Sequence, residues 1–185
     1  MADIFEALSA DYENAKIMAC GLVLPPEQQA EAIDLSRTVA AKFPLEYVLD
    51  DRQHLPFLRL YETVFPDHNV DKVVNAVKNL AVDMSPLPMQ WGSLEIAVSN
   101  IIVWGELNEA LKLFHAAVLQ ELNPWREGYY KQKYSDGSLL DSEEEKQSLL
   151  KWGSPWAEDY LPHMLLGKTT TQFKVNDLLD LEWGY

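Results

Sequence analysis

Two histidines stand in matching apolar contexts, one in each half of the chain. His54 opens the run HLPFLRLY, and His163 opens HMLLGK. Histidine titrates near neutral pH, so two histidines on opposite sides of one phosphorus atom supply a base for the attacking oxygen and an acid for the leaving oxygen. We therefore predict that His54 and His163 form a metal-independent acid–base pair, with the two roles unassigned. We expect no cofactor.

Each histidine is predicted to lie on a strand, over 54–61 in the first half and 160–167 in the second. Side chains two residues apart share one face of a strand. The neighbours on the histidine faces are therefore Pro56 and Leu165. A side chain at either position would stand beside a phosphate bound at the histidine.

A histidine followed two positions later by Thr or Ser, once in each half, marks the 2H phosphoesterase superfamily. The chain resembles this superfamily, which includes 2′-5′ RNA ligase-like proteins and cyclic nucleotide phosphodiesterases, from about Lys16 to Val175. The local likeness is greatest over Trp152–Lys168, WGSPWAEDYLPHMLLGK. Asn123–Arg126, NPWR, is similar to an arginine-bearing loop in a bacterial branch of uncharacterised 2H proteins.

The resemblance implies one α+β domain over residues 1–185, with an inserted loop and helix at about 124–152. It implies a bilobal fold with two antiparallel sheets flanking a cleft, helices outside, and the histidines facing each other. Both motif hydroxyls are replaced, by Pro56 and Leu165. A hydrogen bond to a charged group contributes roughly 1.5–3 kcal/mol, so their loss weakens phosphate binding unless other donors replace them.

Three basic side chains are candidate phosphate donors. Arg59 and Lys168 each lie five positions after a histidine, an odd spacing that puts them on the opposite face of a regular strand. Arg126 is the better candidate, because a guanidinium forks onto phosphate oxygens.

The remaining reactive side chains carry weaker expectations. We predict that His68 lies in a solvated turn and that His115 lies on a helix. Cys20 falls in an apolar run and is expected to be a buried thiol.

Periodicity and turn residues place the other elements. We predict helices over 27–42, 70–82, 107–122 and 143–152, where Ser142 is a capping residue. Strands are predicted over 17–24, 90–98 and 101–106, with a short one at 173–175 and an amphipathic tail at 177–185. Consecutive strands favour an α+β fold with antiparallel pairing.

Charge restricts the partners. The net charge is −14, from 15 Lys and Arg against 29 Asp and Glu, which repels a long nucleic acid but not a small phosphate ligand bound by local donors. We found neither a membrane-spanning apolar run nor a leader segment, so we expect a cytoplasmic location.

The sequence therefore predicts a phosphoesterase acting on a small cyclic phosphate, nucleotide or short oligonucleotide. The alternative is a catalytically degenerate 2H-fold protein that binds a small phosphate ligand or a protein partner.

Overall fold

A computed structural model of the protein describes residues 12–169, apart from 83, 85–86 and 98. The predicted strand at 173–175 and the predicted tail at 177–185 lie outside the described residues.

The described strands form one sheet. They are β1 (Ala15–Val23), β2 (Phe57–Pro66), β3 (Trp91–Ala97), β4 (Asn100–Gly105) and β5 (His163–Lys168). Their order across the sheet is β1-β2-β5-β4-β3, and β2 with β5, β5 with β4 and β4 with β3 are antiparallel. The α+β class is confirmed, and all the described strands join this one sheet where the resemblance implies two.

Four α-helices accompany the sheet in the described part of the chain. They are α1 (Pro26–Lys42), α2 (Val70–Val82), α3 (Glu109–Leu122) and α4 (Glu143–Trp152), close to the predicted ranges. The side chain of Asn108 caps α3, and that of Ser142 caps α4 by accepting the backbone N–H of Glu145. No helix among the described residues is long and apolar enough to cross a membrane.

The chain divides into two compact units, each built from separate segments. The first unit contains described residues from 12–20, 60–87 and 108–160, and the second contains those from 21–59, 88–107 and 161–169. In the second unit α1 packs its apolar side against strands β4 and β5. The buried core there includes Ala32, Leu35, Val39, Ile101, Val103, Met164 and Leu166.

The two predicted histidine strands start later than expected. The first begins at Phe57 rather than His54, because Pro56 has no N–H to donate to a ladder and the backbone N–H of His54 donates to the Asp50 carboxylate. The second begins at His163 rather than Tyr160, directly after Pro162. His54 therefore lies in a loop, and the strand spacing predicted between His54 and Pro56 is wrong.

Candidate functional site

The two faces of β5 have different surroundings. Met164 and Leu166 are fully buried in the core of the second unit, whereas His163 and Leu165 are only half-buried. This alternation is the strand period of two. The face of β5 turned away from the core therefore carries His163.

Arg59 lies across from His163 on the neighbouring strand. Leu58 pairs with Met164 in the antiparallel ladder between β2 and β5, and Arg59 and His163 flank this pair on the two strands. Both side chains lie on the face opposite to Leu58 and Met164, and the charge of Arg59 acts on the imidazole. The odd spacing that counted against Arg59 was measured from His54, which does not belong to this strand.

The His163 ring has a defined tautomer. Its Nδ1 lies 2.9 Å from the carbonyl oxygen of Leu161, and a carbonyl can only accept, so Nδ1 carries the proton. Burial, followed by the charge of Arg59, lowers the pKa of His163 below its ordinary value, although the bond to Leu161 opposes them. The ring is therefore neutral at neutral pH, with the lone pair of Nε2 available to accept a proton.

Trp104 lies on the other side of His163. The two residues are paired between β4 and β5, and their rings meet edge to face at 5.6 Å and 67°. The indole is held in turn by its Nε1, which donates to Glu95 Oε2 at 2.5 Å. A fixed indole beside His163 offers an apolar surface on which a flat ligand group can stack.

His54 reaches the second unit's sheet through Tyr47. The two rings are stacked with centroids 4.7 Å apart and planes 23° from parallel. The segment that carries Tyr47 runs along β5, where Glu46 N–H donates to Lys168 O at 2.7 Å and Leu45 forms a bridge with Thr169.

The charge of Arg59 acts on His163 and on Tyr47, the ring on which His54 stacks. Burial raises the pKa of Tyr47, and the charge of Arg59 acts against that rise, as it also acts on His163. We call Tyr47, His54, Arg59, Trp104 and His163 the histidine site. All five residues belong to the second unit.

The two positions that lack the motif hydroxyls have different surroundings in the structure. Pro56 is buried and precedes β2, so it is not a strand neighbour of His54. Leu165 is half-buried on the face of β5 that carries His163, where it puts an alkyl group beside the imidazole. Hydrogen-bond donors for a phosphate must therefore come from other residues.

Arg126, the preferred phosphate candidate of the sequence, is hydrogen-bonded within the chain. This side chain is 4% exposed and belongs to the first unit. Its guanidinium donates to Asn123 Oδ1 at 2.6 Å, to Tyr129 O at 2.9 Å and to Leu150 O. Through these internal acceptors Arg126 ties a loop to α4, and its predicted role as a phosphate donor stays a prediction.

Lys168 also forms an ion pair within the chain. Its Nζ lies 3.0 Å from Glu46 Oε1, in a pair that is partly exposed on both sides. This pair reinforces the backbone contact between β5 and the segment before Tyr47. Of the predicted basic candidates, the structure places Arg59 next to a histidine.

The remaining reactive side chains lie outside the histidine site. His68 is exposed and its Nε2 lies 3.1 Å from Glu127 Oε1, in agreement with a solvated turn. His115 is buried on α3 and stacks on Tyr160 at 4.0 Å. Burial raises the pKa of the Cys20 thiol to about 11, so the thiol is protonated at neutral pH.

Sequence reasoning missed Tyr47 and Trp104. Trp104 lies on a strand that was predicted, but its place opposite His163 depends on which strands pair. Tyr47 lies outside every predicted element, and only the fold brings it to His54.

Comparison with protein-family models, with curated proteins and with solved structures gave no match to this chain. The functional assignment therefore depends on the histidine site itself.

Proposed function

We propose that the histidine site binds a small phosphate-containing ligand, such as a nucleotide or cyclic phosphate, and hydrolyses its phosphoester without a metal. One observation supports this most strongly. Arg59 and His163 flank the pair of Leu58 with Met164 on adjacent strands, on the face turned away from the core, so a cation and a neutral base share one surface.

Arg59 is the proposed phosphate donor. Its pKa is lowered by burial, yet a guanidinium remains charged in proteins, so the site holds a permanent and partly desolvated cation. Such a cation gains more from an anion than an exposed one does, because water screens it less. The surrounding chain is strongly acidic, which makes this local cation the feature that favours an anionic ligand.

His163 is the proposed general base. With Nδ1–H donated to Leu161 O, the free Nε2 accepts the proton of an attacking water as its oxygen forms the new bond to phosphorus. The bond between phosphorus and the leaving oxygen breaks in the same reaction. Arg59 stabilises the charge that develops on the phosphoryl oxygens.

His54 is the proposed general acid. In this proposal His54 gives a proton to the leaving oxygen while His163 takes one from the attacking water. The reaction consumes one water, and proton exchange with solvent restores both rings. The stack on Tyr47 keeps the ring in one orientation while leaving it exposed. The 2H phosphoesterase resemblance motivates the pairing of the two histidines, although it implies histidines in two lobes and both histidines here belong to one unit.

A second candidate function is phosphate binding without turnover. Leu165 motivates it, because an alkyl group stands beside His163 at the position where the superfamily has a hydroxyl. In that case Arg59 and Trp104 still bind the ligand, and His163 contributes only to affinity.

The test is an assay in EDTA against 2′,3′-cyclic and 3′,5′-cyclic nucleotides and short oligonucleotides. Removing an acid or base from the reaction costs roughly 10²–10⁴-fold in rate, so His163→Ala and His54→Ala are both expected to lose turnover by that factor. Arg59→Gln removes a charged hydrogen bond to phosphate and is expected to cost roughly ten- to hundredfold in kcat/KM.

Matched controls separate chemistry from general damage. His68→Ala removes an exposed histidine of the first unit, and Arg52→Gln removes an exposed arginine of the second, so both are expected to keep full turnover. Turnover that survives His163→Ala would refute the catalytic role. Ligand binding without turnover in the unmodified protein would establish the second candidate.

A further inference from the structure

The loop before β2 is organised by one carboxylate. Asp50 Oδ1 accepts the backbone N–H groups of Arg52, Gln53 and His54 at 2.7, 2.6 and 3.0 Å. The backbone N–H of Asp50 donates to His54 O at 3.0 Å, which closes the same turn from the other side. Asp is favoured in such turns because its short side chain reaches its own following backbone.

This turn determines where His54 stands. Its backbone is held by Asp50 on both its N–H and its carbonyl, and its ring is stacked on Tyr47. An exposed loop without such bonds would sample many conformations, and ordering it would reduce ligand affinity. The hydrogen bonds also lower the pKa of Asp50 to about 2, so the carboxylate stays ionised at neutral pH.

We infer that Asp50 is a positioning residue of the histidine site, which holds the His54 imidazole on Tyr47 before a ligand arrives. This inference rests on the proposed function of His54. Asp50 acts on the backbone that carries His54, because its Oδ1 accepts three backbone N–H groups of the turn. Its effect is preorganisation of a group that would otherwise have to be ordered during binding.

An NMR measurement tests whether Asp50 positions the His54 ring, independently of any activity. The ring-proton shifts of His54 are measured by NMR in the unmodified protein and in Asp50→Ala, with Tyr47→Leu defining the shift when the stacking ring is absent. Asp50→Ala is expected to move the His54 resonances toward their positions in Tyr47→Leu. Asp50→Asn keeps an accepting oxygen and is expected to retain most of the original shift.

Asp51→Ala is the matched control, since Asp51 is the adjacent exposed carboxylate and makes only a long contact to Arg52 in this structure. It is expected to leave the His54 shifts unchanged. His54 resonances that do not move in Asp50→Ala would overturn the inference, whether or not the protein proves to be a phosphoesterase.

A double-mutant cycle, assayed with a 2′,3′-cyclic nucleotide as substrate, tests whether Asp50 acts on turnover through His54. Asp50→Ala is expected to lower kcat/KM by roughly tenfold, and to have no further effect when His54 is already alanine, because residues acting through one group are not additive. Equal losses in both backgrounds would show that Asp50 acts on stability alone. If the unmodified protein shows no turnover, the proposed function fails, while the NMR result still decides the position of His54.

Discussion

At the scale of single residues, the central feature is a neutral imidazole beside a permanent cation. The carbonyl of Leu161 assigns the proton of His163 to Nδ1, and burial with Arg59 disfavours a second proton. Such a ring is a base at neutral pH rather than an acid. This protonation state supports the proposed role of His163 as the base.

The pH dependence of turnover tests that division. His163 must be neutral to act as a base, and its pKa lies below the ordinary 6.5. The decline of kcat/KM in acid is therefore expected to have its midpoint below pH 6.5. In Arg59→Gln the charge that lowers this pKa is absent, and the limb is expected to move to higher pH. An acid limb that does not move would contradict electrostatic coupling between the two side chains.

Because His115 is buried, we predict that the free energy of unfolding falls in acid, independently of the proposed function. Burial lowers its pKa from 6.5 to about 4, so the unfolded chain binds the proton more readily. Neutral, buried His115 therefore contributes to the free energy of unfolding above pH 6.5. This contribution is lost as the pH falls toward about 4, by at most about 3 kcal/mol.

Chemical denaturation at a series of pH values measures this loss. His115→Phe keeps a flat ring for Tyr160 but cannot titrate, so its free energy of unfolding is expected to vary less over this range. His68→Gln, at an exposed position, serves as the comparison. Equal acid slopes in His115→Phe and the unmodified protein would disprove the assignment.

At the scale of elements, the sequence predicts most helices and strands but not their partners. Val70–Val82 is found as predicted, because its apolar period is strong. The start of β2 was misplaced because HLPFLRLY reads as one apolar run, whereas Asp50 turns the chain at His54. Arg59 alternates with the buried Leu58 and Leu60 on β2, as the strand period predicts, and its nearness to His163 follows from pairing across the sheet.

Gly167 tests the packing that holds Tyr47 beside β5. A Cβ at this position would lie 2.7 Å from Leu45 Cδ1 and 3.3 Å from Tyr47 O. Gly167→Ala is expected to destabilise the protein by about 1–3 kcal/mol and to lower turnover, because the Tyr47 segment must shift.

Gly92→Ala is the matched control for this substitution. A Cβ on Gly92 meets only Trp104 O at 3.5 Å, an ordinary contact, on a strand of the same unit. Thermal unfolding and turnover are compared for both variants. Similar midpoints for Gly167→Ala and the unmodified protein would show that the segment tolerates displacement.

At the scale of the whole molecule, the net charge bears on how large a ligand the proposed site would bind. A net charge of −14 repels a polyanion at long range, while Arg59 is the local cation proposed to bind one phosphate at short range. Sequence composition alone predicts the repulsion, and the local cation required the structure. Together they favour a mononucleotide or short oligonucleotide over a long strand.

Competition binding at low salt checks this preference. A cyclic mononucleotide is expected to bind at least about tenfold more tightly than a long single strand of internal phosphodiesters, since charge repulsion grows with the number of phosphates. Added salt is expected to narrow the difference by screening. A long strand that binds more tightly, with affinity that falls as salt rises, would identify a nucleic-acid-binding surface instead.

The most direct test of the histidine site is an NMR titration of the His163 ring with inorganic phosphate. An anion bound at Arg59 favours the protonated imidazole, so the pKa of His163 is expected to rise on saturation in the unmodified protein and to stay nearly constant in Arg59→Gln. Resonances of His163 that do not respond to phosphate at any pH would contradict a phosphate site at Arg59 and His163.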